Sequence, residues 1–421
     1  MRVSKKISIK LLLSNVFKPA KKSKAFRAIW IGNSLSSLGS TITLTVFPLL
    51  VYSIQHSTLA MGSVMAAYML PNVIILPFSG VIVDKMNRVK IMRFADAIRM
   101  VLTLFATVIG FQGLLTIPMI IVVAAIIGLM NGLFDPAFSA LRATIFTPDI
   151  RTSATSLLQG TLQLMRLVGP TLGAVLVSSF SAPIAFGVDS ISYAISFAFL
   201  LTLSKEGQIK HHKEETFRKG CSFFREAFKG FSVLIQNTWL WVTILDLSFL
   251  NICRSGITSI LLPWVVRFHF GFPSFVYGLI MSGEGIGGIL AAAIFGSKTK
   301  WSKRGLIAYL GLGSAGFSLL LMALIPNSFV LVVLMALEGA GIMVFGLIWE
   351  ISLQELVKNE DFGRVAALDQ IGSFALMPVG YLLTGYLAQQ FGSTLTMAML
   401  GGLITFSTII ILLIPQIRHF N

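Results

Sequence analysis

Seventeen acidic residues are spread over a chain of 421, and eight of them stand inside long apolar runs: Asp96, Asp135, Asp189, Asp246, Glu284, Glu338, Glu350 and Asp369. On the gentlest insertion scale a carboxylate at mid-bilayer costs about 3 kcal/mol, so residues of this kind face a water-filled cavity or a partner charge. Ion pairing and proton carriage are the chemistry open to them. The deepest ions are Arg166, Arg254 and Glu284. Pairing among near neighbours would join Arg166 to Asp189 or Asp135, and Arg254 to Glu284 or Asp246. Asp96 and Arg99 stand at i,i+3, the spacing at which side chains meet on one helical face. No enzymatic constellation competes with these ions. There is no G-x-x-x-x-G-K-[ST] phosphate loop, and His211-His212 lacks further ligands at metal spacing. No enzyme activity, cofactor or metal is expected.

The elements that must position these ions follow from composition. Residues of the AVILMFWYC set make up 55% of the chain and charged residues only 12%, whereas charged residues are roughly a quarter of a soluble domain. The apolar residues arrive in blocks of about 20, the length that crosses ~30 Å of hydrocarbon. Runs such as LPNVIILPFSGVIV do not alternate, which excludes a membrane β-barrel. The fold class is therefore an all-α polytopic membrane protein. Twelve spans are expected, at 28–51, 61–83, 94–112, 117–139, 153–177, 182–203, 240–264, 275–296, 305–325, 329–353, 364–388 and 395–415.

Net charge is +16, yet the cations lie in short clusters between apolar blocks, which points to anionic lipid and not to nucleic acid. With the N-terminus inside, nearly every Lys and Arg outside the spans falls on the cytoplasmic side, and the opposite side has only Arg267. This bias predicts a multi-pass membrane protein with both termini cytoplasmic. The polar stretch between spans six and seven divides the chain into a basic tail (1–25), a six-helix half (26–203), a linker (204–237) and a second six-helix half (238–421). DIRTSATSLLQG at 149–160 aligns with DFGRVAALDQIG at 361–372, so the halves read as pseudo-repeats. Within the linker, FFREAFKGFSVLIQ at 223–236 has the periodicity of an amphipathic interfacial helix. Cys221 and Cys253 fall in the linker and in a span, so both are expected as plain thiols.

At the end of span two stands G-V-I-V-D-K-M-N-R-V-K, residues 80–90. Its spacing of Gly80, Asp84, Lys85, Arg88 and Lys90 resembles the loop between spans two and three of the major facilitator superfamily. Gly80 would permit close helix contact, and Asp84 would sit near the N-terminus of a neighbouring helix. The resemblance makes that neighbour span eleven, beginning near Gly363, and the loop a conformational latch. The equivalent loop, GSKTKWSKRG at 296–305, keeps the cations but has Gly296 where an aspartate would match. In span five, Gly169, Pro170 and Gly173 resemble part of the superfamily's antiporter element, and equally read as a helix-packing kink. ADAIR at 95–99, FDPAFSALRATIF at 134–146 and FGVDSISYAISFAFLL at 186–201 are similar to the branch that includes macrolide-efflux proteins and the enterobactin exporter.

The resemblance implies a secondary transporter, a proton-coupled exporter of drugs or amphiphiles by alternating access, with siderophore, metabolite or lipid export and a non-transporting receptor as alternatives. It implies a small-molecule substrate and protons as partners, and function as a monomer. In that fold spans five and eight face each other, which allows a cross-half pair of Arg166 with Glu284 beside the local pairings above. The cavity is lined by spans one, four, seven and ten, which makes Asn33, Ser37, Thr41, Phe134, Asn251, Arg254, Phe345 and Trp349 the cavity candidates. Aromatic stripes of this kind also read as core. Span one carries no carboxylate, so proton coupling would fall to Asp135, Asp189, Glu284 or Glu350.

Overall fold

A computed structural model describes residues 17–147, 149–203, 234–295, 303–357 and 359–418, without side-chain detail over most of 358–367. The tail before Phe17, most of the linker with Cys221, His211 and His212, and the glycine-for-aspartate loop at 296–302 lie outside the described residues.

Among the described residues twelve helices are long and apolar enough to cross a membrane. They are α1 (Lys24–Ile54), α2 (Thr58–Lys85), α3 (Arg88–Phe111), α4 (Ile117–Ile145), α5 (Arg151–Ser179) and α6 (Ala182–Thr202), then α7 (Thr238–His269), α8 (Ser274–Phe295), α9 (Arg304–Met322), α10 (Ser328–Leu356), α11 (Leu368–Phe391) and α12 (Ser393–Leu412). Polar residues cap several of them. Ser23 accepts from the Phe26 amide, Ser57 from Ala60, and Asn87 from both Val89 and Lys90. Each cap satisfies amides that have no intrahelical acceptor. Several helices outrun the expected spans: α1 has 31 residues, about 46 Å at 1.5 Å each, and so projects beyond the hydrocarbon.

Two helices are irregular for identifiable reasons. In α11 the ladder breaks at Ala375 and Leu376, because Pro378 has no N–H to donate to the carbonyl four residues back. In α7 the α-helix ends at Gly256 and passes through two π-turns, Ile257–Leu261 and Val265–His269. Backbone carbonyls of the first π-turn accept tyrosine hydroxyls, Thr258 from Tyr277 at 3.3 Å and Ile260 from Tyr52 at 2.7 Å.

Within the first six helices α2 packs on α4 and α1 on α6; within the second six α8 packs on α10 and α9 on α12. Glycine sets the tightest approaches at equivalent places. A Cβ on Gly128 of α4 would lie 1.8 Å from the Tyr68 carbonyl oxygen of α2, and one on Gly287 of α8 would lie 1.7 Å from that of Ala336 on α10. No side chain fits either position. Large apolar side chains such as Phe329 and Leu413 point outward, as lipid-facing residues do.

The two groups of helices join chiefly through α5 with α8 and α2 with α11. Call the face carrying Lys24, Arg88, Arg151 and Arg304 the basic face. On the α5–α8 seam, Thr171 bonds Ser282 at 2.7 Å and Ser282 donates to the Leu167 carbonyl at 2.5 Å. Closer to the opposite face, Thr58 donates to the Gly385 carbonyl and His56 meets the edge of Phe268. One apolar core runs through both groups, from Val46 and Met61 to Ile260 and Tyr277. A second is confined to the first group near the basic face, around Phe26, Met92, Leu141 and Leu158.

Candidate functional site

Below the seam lies a cavity of about 610 Å³ whose walls come from both groups of helices. Thr41, Tyr68 and Arg166 line it from one side; Tyr277, Glu284 and Tyr381 line it from the other. Its size and its mixture of methionines, tyrosines and a few ions suit a small amphiphilic molecule.

The ions at the wall are organised by three helices. Arg254 of α7 donates to Glu284 of α8 at 2.6 Å through Nη2 and, through Nε, to Glu338 of α10. Glu338 is fully buried, whereas a third of the Glu284 side chain is open to the cavity. Two carboxylates thus share one guanidinium, and when both are ionised the cluster carries one surplus negative charge. Arg166 of α5 is exposed at the wall without a carboxylate within ion-pair reach among the described residues.

The two pairing schemes can now be separated. Arg254 takes Glu284 within the second group of helices, and the cross-half pair of Arg166 with Glu284 does not form. Arg254 reaches Glu284 from the same helical group while Glu338 holds it from behind. Arg166 does not pair with Asp189 or Asp135 either. Asp189 is fully buried against α1, accepting from Thr43 at 2.6 Å and Ser192 at 3.1 Å, in a space left by Gly39. Asp135 is exposed on α4 and Glu350 is exposed on α10, where it accepts from Gln354. Asp246 is buried and has one carboxylate oxygen without a partner among the described residues. The i,i+3 pair is present: Arg99 donates to Asp96 at 2.5 Å, Asp96 also accepts from Ser196, and Phe134 and Tyr193 lie against the guanidinium.

Of the residues expected in the cavity, Thr41 is on its wall. Asn33 is buried, and Ser37 is half-buried with its carbonyl occupied by Thr41. Phe134 is buried beneath Arg99; Phe345 stacks on Trp349, whose indole donates to Asp369. Asn251 donates to the Ser373 carbonyl and Arg254 belongs to the ion cluster. Phe134, Asn251, Phe345 and Trp349 face neighbouring helices of their own group, so for the aromatic stripe it is the core reading that the geometry supports.

In the loop at 80–90 one expectation is corrected: Gly80 is exposed and a Cβ there would meet nothing within 4 Å, so it makes no close helix contact. The close α2–α11 approach is instead at Gly62, beside the Tyr381 carbonyl near the opposite face. Asp84 is exposed and forms no ion pair among the described residues. Arg88 ties α3 to α4 through the Ala140 carbonyl and Thr144, and Lys85 and Lys90 are exposed. Gly169 packs on Thr41 and Gly173 on Ile42, while the Pro170 carbonyl lies against Gly278 across the seam. Glu338 was visible as an acid in an apolar run, but its tie to Arg254, 84 residues away, had no local signal.

Comparison with known proteins agrees with this architecture. Residues 15–421 match the family described as Transmembrane secretion effector. Macrolide efflux protein A of Streptococcus pyogenes is 26% identical over 406 residues, covering 94% of this chain and 97% of that protein. The Staphyloferrin A transporter of Staphylococcus aureus is 22% identical, covering 89% of this chain and 90% of its own. The crystal structure of the nucleoside transporter NupG superposes with a TM-score of 0.72 at 15% identity, covering 93% of this chain and 99% of that one. Twelve spans packed as two groups around a shared cavity, together with a family match over nearly the whole chain, place this protein among the multi-pass transporters of the major facilitator superfamily, in its transmembrane secretion effector family.

Proposed function

We propose that this transporter is a proton-coupled exporter of amphiphilic small molecules, working by alternating access across a bacterial inner membrane. The observation that carries the reading is a cavity walled by both halves, which touch again toward the opposite face, with one carboxylate of a two-carboxylate cluster open to it. The basic face is cytoplasmic, both termini lie there, and its cations meet anionic lipid. The geometry then corresponds to a cytoplasm-open form in which the halves 26–203 and 238–421 part below the α5–α8 seam, and one copy of the chain suffices. Asp84 is a latch in its released state; it engages the start of the helix Asn359–Phe374 that leads into α11, near Gly363, when the halves close on this side.

Coupling is assigned to Glu284. One proton added to the Arg254, Glu284 and Glu338 cluster cancels its surplus charge, and Glu284 is the member that the cavity reaches. A neutral cluster and a charged one differ in how well each open state solvates them, which is what biases the exchange. Export of a siderophore or similar metabolite is the second reading, favoured by the Staphyloferrin A transporter among the relatives. In inverted membrane vesicles, an imposed pH gradient should drive accumulation of a macrolide or fluorescent amphiphile. Accumulation unchanged when the gradient is collapsed would remove proton coupling, and saturable binding without any movement would indicate a receptor.

A further inference from the structure

We propose that the cavity selects zwitterionic cargo, with a carboxylate placed on Arg166 and an ammonium on the free oxygen of Glu284. The proposal deepens the export reading by naming the substrate class of that same cavity. Arg166 and Glu284 stand on opposite halves at nearly one depth: a Cβ on Gly285 would lie 3.3 Å from the Leu167 Cα, and Arg166 and Glu284 immediately precede these two residues on helices that run in opposite directions, which separates them by only about 3 Å along the axis. Both line the cavity, yet their charged atoms are not within the 4.0 Å of an ion pair. A molecule with both charges can span what the side chains do not.

Each group also has unused capacity. Arg166 is exposed at the wall, and its planar fork of N–H donors matches a carboxylate in two-point contact. Glu284 gives Oε1 to Arg254, and no hydrogen bond to Oε2 is present among the described residues. Charge arithmetic then decides between cargo classes. The surplus negative charge of the Arg254 cluster and the positive charge of Arg166 sum to zero, so a zwitterion leaves the site neutral. A purely cationic cargo leaves Arg166 unmatched, and a purely anionic one leaves the cluster unmatched, each in a wall of low dielectric. Asn131 donates to the Tyr68 hydroxyl at 2.8 Å, which leaves that hydroxyl its own proton for a cargo oxygen. Met65 and Met343 give the apolar part of such a molecule adaptable surface. A proton on Glu284 would remove the negative charge that the cargo's ammonium meets, so proton and cargo compete at one carboxylate.

The test uses purified full-length protein and three probes on one scaffold: Nε-dansyl-lysine, its methyl ester and its Nα-acetyl derivative, with binding read by dansyl fluorescence and needing no gradient. The free zwitterion should bind about tenfold or more tighter than either capped form, as charge-assisted hydrogen bonds allow. Arg166→Gln should erase discrimination against the methyl ester while keeping that against the acetyl form. Glu284→Gln should do the converse, and Arg166→Lys should restore part of the first preference. Equal binding of all three probes, tighter binding of a capped form, or no saturable binding of the zwitterion would overturn the proposal. So would two variants that lose both preferences together, the signature of a structural role. Because binding is measured without transport, a failure of proton coupling leaves this result unaffected.

Discussion

Each group of six helices carries a paired arginine inside a membrane span, and the two are matched differently. In the first half Arg99 meets one carboxylate, Asp96, and both side chains are 5% exposed or less beneath the rings of Phe134 and Tyr193. In the second half Arg254 serves two carboxylates, and one of them, Glu284, is 33% open to the cavity. A sealed one-to-one pair has no charge to exchange and no route by which to exchange it. A two-to-one cluster with one open member has both. On the proposed coupling, burial and stoichiometry, more than the presence of an ion in the membrane, separate a structural pair from a working one.

The largest effect should come from breaking the sealed pair. Asp96→Ala leaves Arg99 buried without its counter-charge, a loss of about 3–5 kcal/mol that should show as little folded protein in the membrane. The double replacement Asp96→Leu with Arg99→Met should recover much of that fold and retain transport, because the pair has only a structural part. The same operation in the second half, Arg254→Met with Glu338→Leu, should yield folded protein that no longer transports against a gradient. If both doubles transport alike, the distinction between the two ion sites fails.

A smaller effect is expected at the latch. Asp84→Asn removes the charge proposed to engage the helix start near Gly363 and should cut transport while cargo binding changes within a few fold, measured as initial uptake rate beside equilibrium binding. Normal transport by this variant would leave Asp84 an ordinary loop aspartate.

The smallest effect is expected where charge is fully solvated. Lys22 and Asp149 form an ion pair at 3.5 Å with both side chains more than half exposed. The Thr147 hydroxyl and then Lys22 hold Asp149 below the usual carboxylate range. Any stability it supplies is thus present above the ordinary carboxylate value and is lost only as the medium is acidified through the lowered folded value. Lys22→Ala should leave the melting temperature unchanged between pH 6 and pH 8, to be checked by thermal unfolding in detergent.

The sequence made the scaffold readable and the site only in part. Twelve spans follow from apolar block length, and the Asp96–Arg99 pair follows from i,i+3 spacing, since both depend on local geometry. Which face of α10 meets α7 does not, because that helix is apolar all round and its orientation is set by Gly287 and Ala336 in another pair of helices. Hence Glu338 entered the reading without a partner, and Phe345 and Trp349 stood as cavity candidates although they pack inside the second half. Gly80 shows the same limit from the other side: a glycine that matches a motif need not be where helices touch.

The central claim, that the open carboxylate of the two-to-one cluster couples transport to protons, is tested most directly by Glu284→Gln in proteoliposomes. With a macrolide or dye that the wild type moves, gradient-driven uptake and counterflow exchange are measured side by side. The variant should fold, lose gradient-driven uptake and keep exchange at saturating cargo concentration. Gradient-driven uptake at the wild-type rate would contradict it and return Asp189, Asp135 and Glu350 as the residues to test.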